Sequence, residues 1–233
     1  MTRPLGRRIT VIIPAHNEED RIAATIQAVQ GIEGVEEIVV IDDGSTDDTA
    51  CVATASGATS VLRHGRNRGK GEAMKTGLAV ASCDILLYVD ADLGVSACEA
   101  DRLLDPILEG RADVALATFP STAGGGVGLA VGLARWGIHR LTGVRLSAPL
   151  SGQRAMSRAV AESIGSFAPG YSVETAMTID LLRAGYRIEE VQTGMTHRTT
   201  GRDLHGFRHR GQQFLHIARA LLSRAFDGGR MPR

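Results

Sequence analysis

Apolar, β-branched runs alternate with stretches of helical spacing through the first half of this chain. No other feature constrains its fold as tightly. Arg8–Ile13, Glu37–Ile41, Ala58–Leu62, Asp84–Val89 and Asp113–Ala117 read as strands. Glu19–Val29, Asp47–Ser56, Gly71–Ala81 and Cys98–Leu108 read as the helices between and after them. Thr46 or Asp47 can cap the second helix. Strands that are apolar along their whole length are buried on both faces. Alternating with helices, they predict an α/β fold: a mostly parallel sheet with helices on both faces. Such sheets bind ligands beyond the carboxyl ends of their strands.

The polar clusters fall at those ends. His16-Asn17-Glu18 follows the first strand, Asp42-Asp43-Gly44-Ser45 the second and Asp90-Ala91-Asp92 the fourth. Each alone could be a turn or a helix cap. Three at one crevice are harder to dismiss. Asp90 and Asp92 are two apart, so extended backbone points both to one side. Two buried carboxylates so close together, with no cation, would be costly. A hard cation such as Mg²⁺ or Mn²⁺ suits them and keeps positions open for phosphate oxygens. The pair points to chemistry on a diphosphate compound. Gly65-Arg66-Asn67-Arg68-Gly69-Lys70-Gly71 opens the third helix. It reads either as a solvated loop or as a phosphate-facing turn rich in free N–H groups.

The second half is less regular. Phe119–Gly128 is a Gly-rich loop, and Val127–Leu141 and Val173–Arg183 are helical in spacing. Ser151–Met156 reads as a strand returning to the sheet, Tyr186–Val191 as the last strand, and Phe207–Phe226 as a long basic helix. With no internal repeat, the 233 residues read as one domain. It divides into a regular first half (1–118), a less regular second half (119–200) and a helical extension (201–233).

Lys and Arg number 26, as do Asp and Glu. That balance argues against a nucleic-acid partner. Cys51, Cys83 and Cys98 show no paired spacing, which favours a reducing, cytoplasmic setting. No apolar run approaches the roughly 18 residues of a membrane span. The basic helix reads as packed on the sheet or, alternatively, as a peripheral contact with an anionic membrane through 207–226.

With these residues in place, the chain resembles nucleotide-sugar glycosyltransferases of the GT-A fold, family 2-like. The resemblance rests on Val11-Ile12-Ile13-Pro14-Ala15-His16-Asn17-Glu18-Glu19, Ile41-Asp42-Asp43-Gly44-Ser45-Thr46-Asp47, Asn67-Arg68-Gly69-Lys70-Gly71 and the DXD motif Asp90-Ala91-Asp92. Leu150-Ser151-Gly152-Gln153-Arg154-Ala155 is similar to the SGxR segment of polyprenyl-phosphate sugar transferases. Gly69–Ala73, Gly170-Tyr171-Ser172-Val173-Glu174 and His197-Arg198 resemble glucosyl-3-phosphoglycerate synthases. That branch carries an Arg-Pro-Leu that helps hold phosphoglycerate; Ala148-Pro149-Leu150 stands here, which argues against that acceptor.

The resemblance implies a metal-dependent hexosyltransferase using a UDP- or GDP-sugar. Pro14, Ala15, Asn17 and Glu18 would line the nucleotide pocket. Asp43 or Ser45 would read the base, and Gly69 and Lys70 would approach the nucleotide. Asp90 and Ala91 would meet the ribose side. Asp92 and His197 would bind Mg²⁺ or Mn²⁺, with Asp92 and Glu174 as the catalytic carboxylates. Ser151, Gly152, Gln153, Arg154 and Tyr171 would shape the acceptor side. The acceptor would be a polyprenyl phosphate or a small phosphorylated or hydroxyl compound, and a homodimer is compatible with the sheet edges. A nucleotidyltransferase and a non-catalytic scaffold are the rival readings. The first should carry a basic Gly-rich loop after the first strand, where His16-Asn17-Glu18-Glu19 stands. The second sits poorly with an intact DXD.

Overall fold

A computed structural model describes residues 8–119, 128–164, 167–168, 172–196 and 204–226, with side chains of 204–212 excepted. The first half runs β1 (Ile9–Ala15), α1 (Ile22–Gln30), β2 (Val35–Asp42), α2 (Thr49–Ala55), β3 (Ser60–Arg63), α3 (Lys70–Val80) and β4 (Ile85–Tyr88). A 3₁₀ stretch, Gly94–Leu103, leads into α4 (Leu104–Leu108) and β5 (Val114–Thr118). Then follow α5 (Leu129–Thr142), β6 (Arg154–Ser157), α6 (Arg158–Ser163), α7 (Val173–Arg183), β7 (Ile188–Gln192) and α8 (Leu204–Phe226).

The seven strands form one sheet in the order β3-β2-β1-β4-β6-β5-β7. β6 alone runs antiparallel, pairing with β4 and β5, while the other pairings are parallel. The expected α/β fold is present, with helices over both sheet faces. Alternate residues divide between two cores, which explains the unbroken apolar runs. Ile9, Val11, Ile13, Ile85, Leu87 and Val89 belong to one core with α1 and the 3₁₀ stretch. Ile12, Leu86, Tyr88 and Met156 belong to the other, with α3, α6 and α7. Burying each such side chain contributes roughly 1.5–3 kcal/mol. A third cluster joins α5, α7 and α8 through Ala134, Ile138, Ile179, Ile217 and Leu221.

Three expectations shift. The helix expected over Cys98–Leu108 is mostly 3₁₀, and only Leu104–Leu108 is α-helical. The returning strand begins at Arg154 rather than Ser151, because Ser151 closes a turn by donating its N–H to the Ala148 carbonyl. The short helix α6 has no counterpart among the sequence expectations. Its start is capped by Ser157, whose Oγ accepts from the Val160 N–H. Most of the Gly-rich loop, 120–127, lies outside the described residues.

Candidate active site

The topology converges on one sheet edge. β1, β2 and β4 all end there, and the antiparallel β6 begins there. Tyr88 pairs with Arg154 in the β4–β6 register. Gln153, just before Arg154, therefore faces Asp90, just past β4. Its Nε2 donates to Asp90 Oδ2 at 2.6 Å. Lys70 Nζ reaches Asp90 Oδ1 at 2.6 Å and Glu174 Oε1 at 2.8 Å. The amino ends of α3 and α7 supply Lys70 and Glu174.

This arrangement fixes charge states. Burial alone would lower the Lys70 pKa, but Asp90 and Glu174 outweigh it and hold the ammonium well above its ordinary value. Arg154 is fully buried beneath the pair. Burial pulls its pKa down, against the opposing influence of Glu174, Tyr88 and Asp90. Its Nη2 donates to the Ser151 carbonyl at 2.6 Å, while Nε and Nη1 have no hydrogen-bond partner among the described residues. Burial pushes the Tyr88 phenol up, with Arg154 opposing. Two cations thus face two carboxylates in a partly closed space, where each interaction is stronger than in water. Gly152 passes so close that a Cβ there would meet Lys70 Nζ and lie 2.7 Å from Asp90 Oδ2.

The Asp90-Ala91-Asp92 turn is held by α1. Thr25 Oγ1 donates to the Ala91 carbonyl at 2.8 Å and accepts from the Gly94 N–H at 2.8 Å. Arg21 Nη1 donates to the Asp92 carbonyl at 3.3 Å. Asp92 itself is half-buried. Neither Thr25 nor Arg21 stood out in the sequence, because Thr25 sits inside an ordinary amphipathic helix and Arg21 at its start.

The second cluster is a brace. Asp43 is buried and its carboxylate accepts from the Arg68 and Gly69 N–H groups at 2.9 and 2.7 Å. His64 Nδ1 lies 2.7 Å from Asp43 Oδ1, and its Nε2 lies 3.0 Å from Thr76 Oγ1. The Gly-rich loop is thereby tied to the end of β2. Gly44 allows this approach: its φ is +72°, and a Cβ there would lie 2.5 Å from the Arg66 carbonyl carbon. His64 lacked any motif to mark it. Ser45 Oγ accepts from the Asn17 N–H at 2.9 Å, and Asn17 Oδ1 accepts from the Thr46 N–H at 2.9 Å. Asn17 adopts φ +57°, a conformation that Asn tolerates better than most side chains. The Glu18 N–H donates to Thr49 Oγ1 at 2.9 Å. Pro14 and Ala15 end β1 beside this network.

Lys70, Asp90, Ala91, Asp92, Gly152, Gln153 and Glu174 are thus brought to one edge. Ser151 and Arg154 lie buried just behind it. Asn17, Glu18, Asp43, Ser45 and Gly69 build the adjoining wall. Tyr171 and His197 lie outside the described residues. Among those described, no cluster of three His, Cys, Asp or Glu is placed to hold a metal. A cation held by one or two protein carboxylates, with substrate phosphates completing its shell, fits such a donor set. Asp90 is engaged by Lys70 and Gln153.

The chain is 35% identical over 198 residues to glucosyl-3-phosphoglycerate synthase of Mycobacterium tuberculosis, covering 75% of this chain and 61% of that protein. It thus spans about three fifths of the length of this curated relative. Glycosyltransferase AglJ of Haloferax volcanii is 29% identical over 205 residues, covering 86% of this chain and 67% of AglJ. The crystal structure of the M. tuberculosis synthase with Mn²⁺, UDP and glucosyl-3-phosphoglycerate superposes with a TM-score of 0.79 at 33% identity, over 94% of this chain and 80% of that one. Its complex with Mg²⁺ and UDP gives the same TM-score over 94% and 79%. The model of glycosyl transferase family 2 matches residues 10–150, more than half of the sequence, and the chain belongs to that family.

Proposed function

We propose that the crevice is the donor site of a metal-dependent glycosyltransferase. It would move a hexose from a nucleotide sugar to a phosphate-bearing acceptor. The observation that carries this reading is the position of Lys70, held between Asp90 and Glu174 at the DXD edge. UDP is the favoured nucleotide, because the similar synthase has been crystallised with UDP and with UDP-glucose. Three free thiols fit a cytoplasmic setting for the reaction.

Each residue then has a task. Asp92 would hold Mg²⁺ or Mn²⁺, with His197 as second ligand by resemblance. The cation, when bound, would neutralise charge developing on the leaving diphosphate. Lys70 adds a fixed positive charge beside the same oxygens. Asp90, oriented by Gln153 and Lys70, meets the hydroxyls on the donor side. Glu174, bridged to Asp90 by Lys70, supports the positive charge that builds on the sugar carbon. Arg154 acts from below as a buried cation rather than touching the acceptor. A phosphate acceptor is already largely ionised at neutral pH and needs little base. Ala148, where the phosphoglycerate-binding branch has Arg, supports a phosphate-bearing acceptor other than phosphoglycerate, whether a small compound or a polyprenyl phosphate.

A screen of UDP- and GDP-sugars tests the proposal, with nucleotide release measured with Mn²⁺, Mg²⁺ or chelator. A UDP-hexose should be turned over only with metal, and product NMR should show the sugar on a phosphate. Failure of every sugar nucleotide to bind or turn over would reject the reading.

A further inference from the structure

We infer that α5 and α8 together form a face that docks on an anionic lipid bilayer. The inference rests on surface chemistry and stands apart from the reaction proposed above. Nine large apolar side chains are exposed among the described residues, and six belong to these two helices. On α5 they are Leu129 (83% exposed) and Trp136 (63%). On α8 they are Phe214, Leu215 (55%), Leu222 (58%) and Phe226 (85%).

Their spacing shows that this is a second apolar stripe. The inner side of α8 is already used: Ile217 and Leu221 pack on Ala134 and Ile138 of α5 and Ile179 of α7. Leu215, Leu222 and Phe226 follow one another at seven and four residues, on the opposite side of the helix. The two helices cross where Gly137 lets Leu221 approach; any Cβ at Gly137 would overlap the Leu221 side chain. Trp136 immediately precedes Gly137 and Leu222 immediately follows Leu221, and both are exposed. An exposed apolar stretch of this kind marks an interaction surface rather than ordinary scatter.

Charge selects the partner. No Asp or Glu occurs from Val114 to Ala161 or from Leu204 to Phe226, although the whole chain is balanced. Arg135, Arg140, Arg145 and Arg219 are exposed around the apolar residues. Among the described residues of adjoining elements, Asp180 is taken up by Arg224 at 2.8 Å and Glu190 by the Ser147 and Ala148 N–H groups at 2.8 Å. An apolar strip with Trp and a fringe of arginines matches the headgroup region of an anionic bilayer. A protein partner of matching chemistry would need an acidic rim, and a second copy of this face would set arginine against arginine. α7 packs under both helices and carries Glu174 at its amino end, which links the face to the site.

Trp136 is the only tryptophan, so its fluorescence reports this face directly. The test mixes the full chain with phosphatidylglycerol/phosphatidylcholine vesicles and, separately, with phosphatidylcholine alone. We expect co-sedimentation and a blue shift with the anionic vesicles only, both weakening as salt rises. Leu222→Glu with Phe226→Glu should lower partitioning about tenfold or more, with thermal unfolding checked in parallel. Arg140→Glu with Arg219→Glu, both at exposed positions, should weaken binding to the anionic vesicles without touching the apolar stripe. Absence of binding by the folded protein, or unchanged binding by both double variants, would overturn the inference. So would a lipid-free blue shift that grows with protein concentration alongside a dimer mass, which would assign the face to a second copy.

Discussion

Lys70 Nζ stands 2.8 Å from Glu174 Oε1, joining the first turn of α3 to the first turn of α7. This ion pair ties the first half of the chain to the second, beside the β4–β6 pairing and the Gln153–Asp90 hydrogen bond. Asp90 completes the link from β4.

Lys70→Met should therefore leave Asp90 and Glu174 facing one another without their shared cation. The loss of that bridging charge should lower kcat/KM by about a hundredfold, the scale of a lost electrostatic group. Steady-state kinetics on the variant checks this. Because the pair is partly exposed, the stability loss should be modest, roughly 1–2 kcal/mol.

Gly152→Ala puts a methyl group against Lys70 and Asp90. Displacing either group should reduce kcat strongly, while the melting temperature falls by only the roughly 1–3 kcal/mol typical of overpacking. Steady-state kinetics with calorimetry separates the two.

His64→Ala removes one side of the Asp43 brace and frees the 65–69 loop. If the loop serves the nucleotide, KM for the donor should rise about tenfold with a smaller change in kcat, the pattern of lost uniform binding. His64→Gln, which can still donate to Asp43, should recover part of the loss.

Asp113 gives a pH signature unrelated to catalysis. Its hydrogen bonds and ion pair with Arg187 hold its pKa below the ordinary 3.8. A depressed folded pKa contributes stability above the unfolded value and loses it as pH falls through the folded one. Asp113→Asn should lower the melting temperature at neutral pH, and the difference from the parent should vanish in strong acid.

The fold and the outline of the site were legible for particular reasons. β1, β2 and β4 announced themselves as unbroken apolar runs, and the residues after them as polar clusters. Lys70, Asp90 and Glu174 were each visible as motif residues, but their contact was not, since it depends on how α3 and α7 are seated. The Gln153–Asp90 bond depends on β6 running antiparallel, which no local pattern encodes. His64, Thr25 and Arg21 carry long-range hydrogen bonds to loop backbone or to Asp43, and ordinary strand or helix positions hide such roles. The 3₁₀ character of Gly94–Leu103 escaped because its apolar residues Ala97, Ala100 and Leu103 recur every three residues, which an α-helix also accommodates.

The most direct measurement compares the parent chain with Asp92→Ala for Mn²⁺-dependent release of UDP from a UDP-hexose, with donor binding followed by calorimetry. The account predicts metal-dependent release by the parent and at least a hundredfold loss in the variant, on the scale of a removed charge-stabilising group. The variant's thermal stability should be little changed. Full, metal-dependent turnover by Asp92→Ala would contradict it.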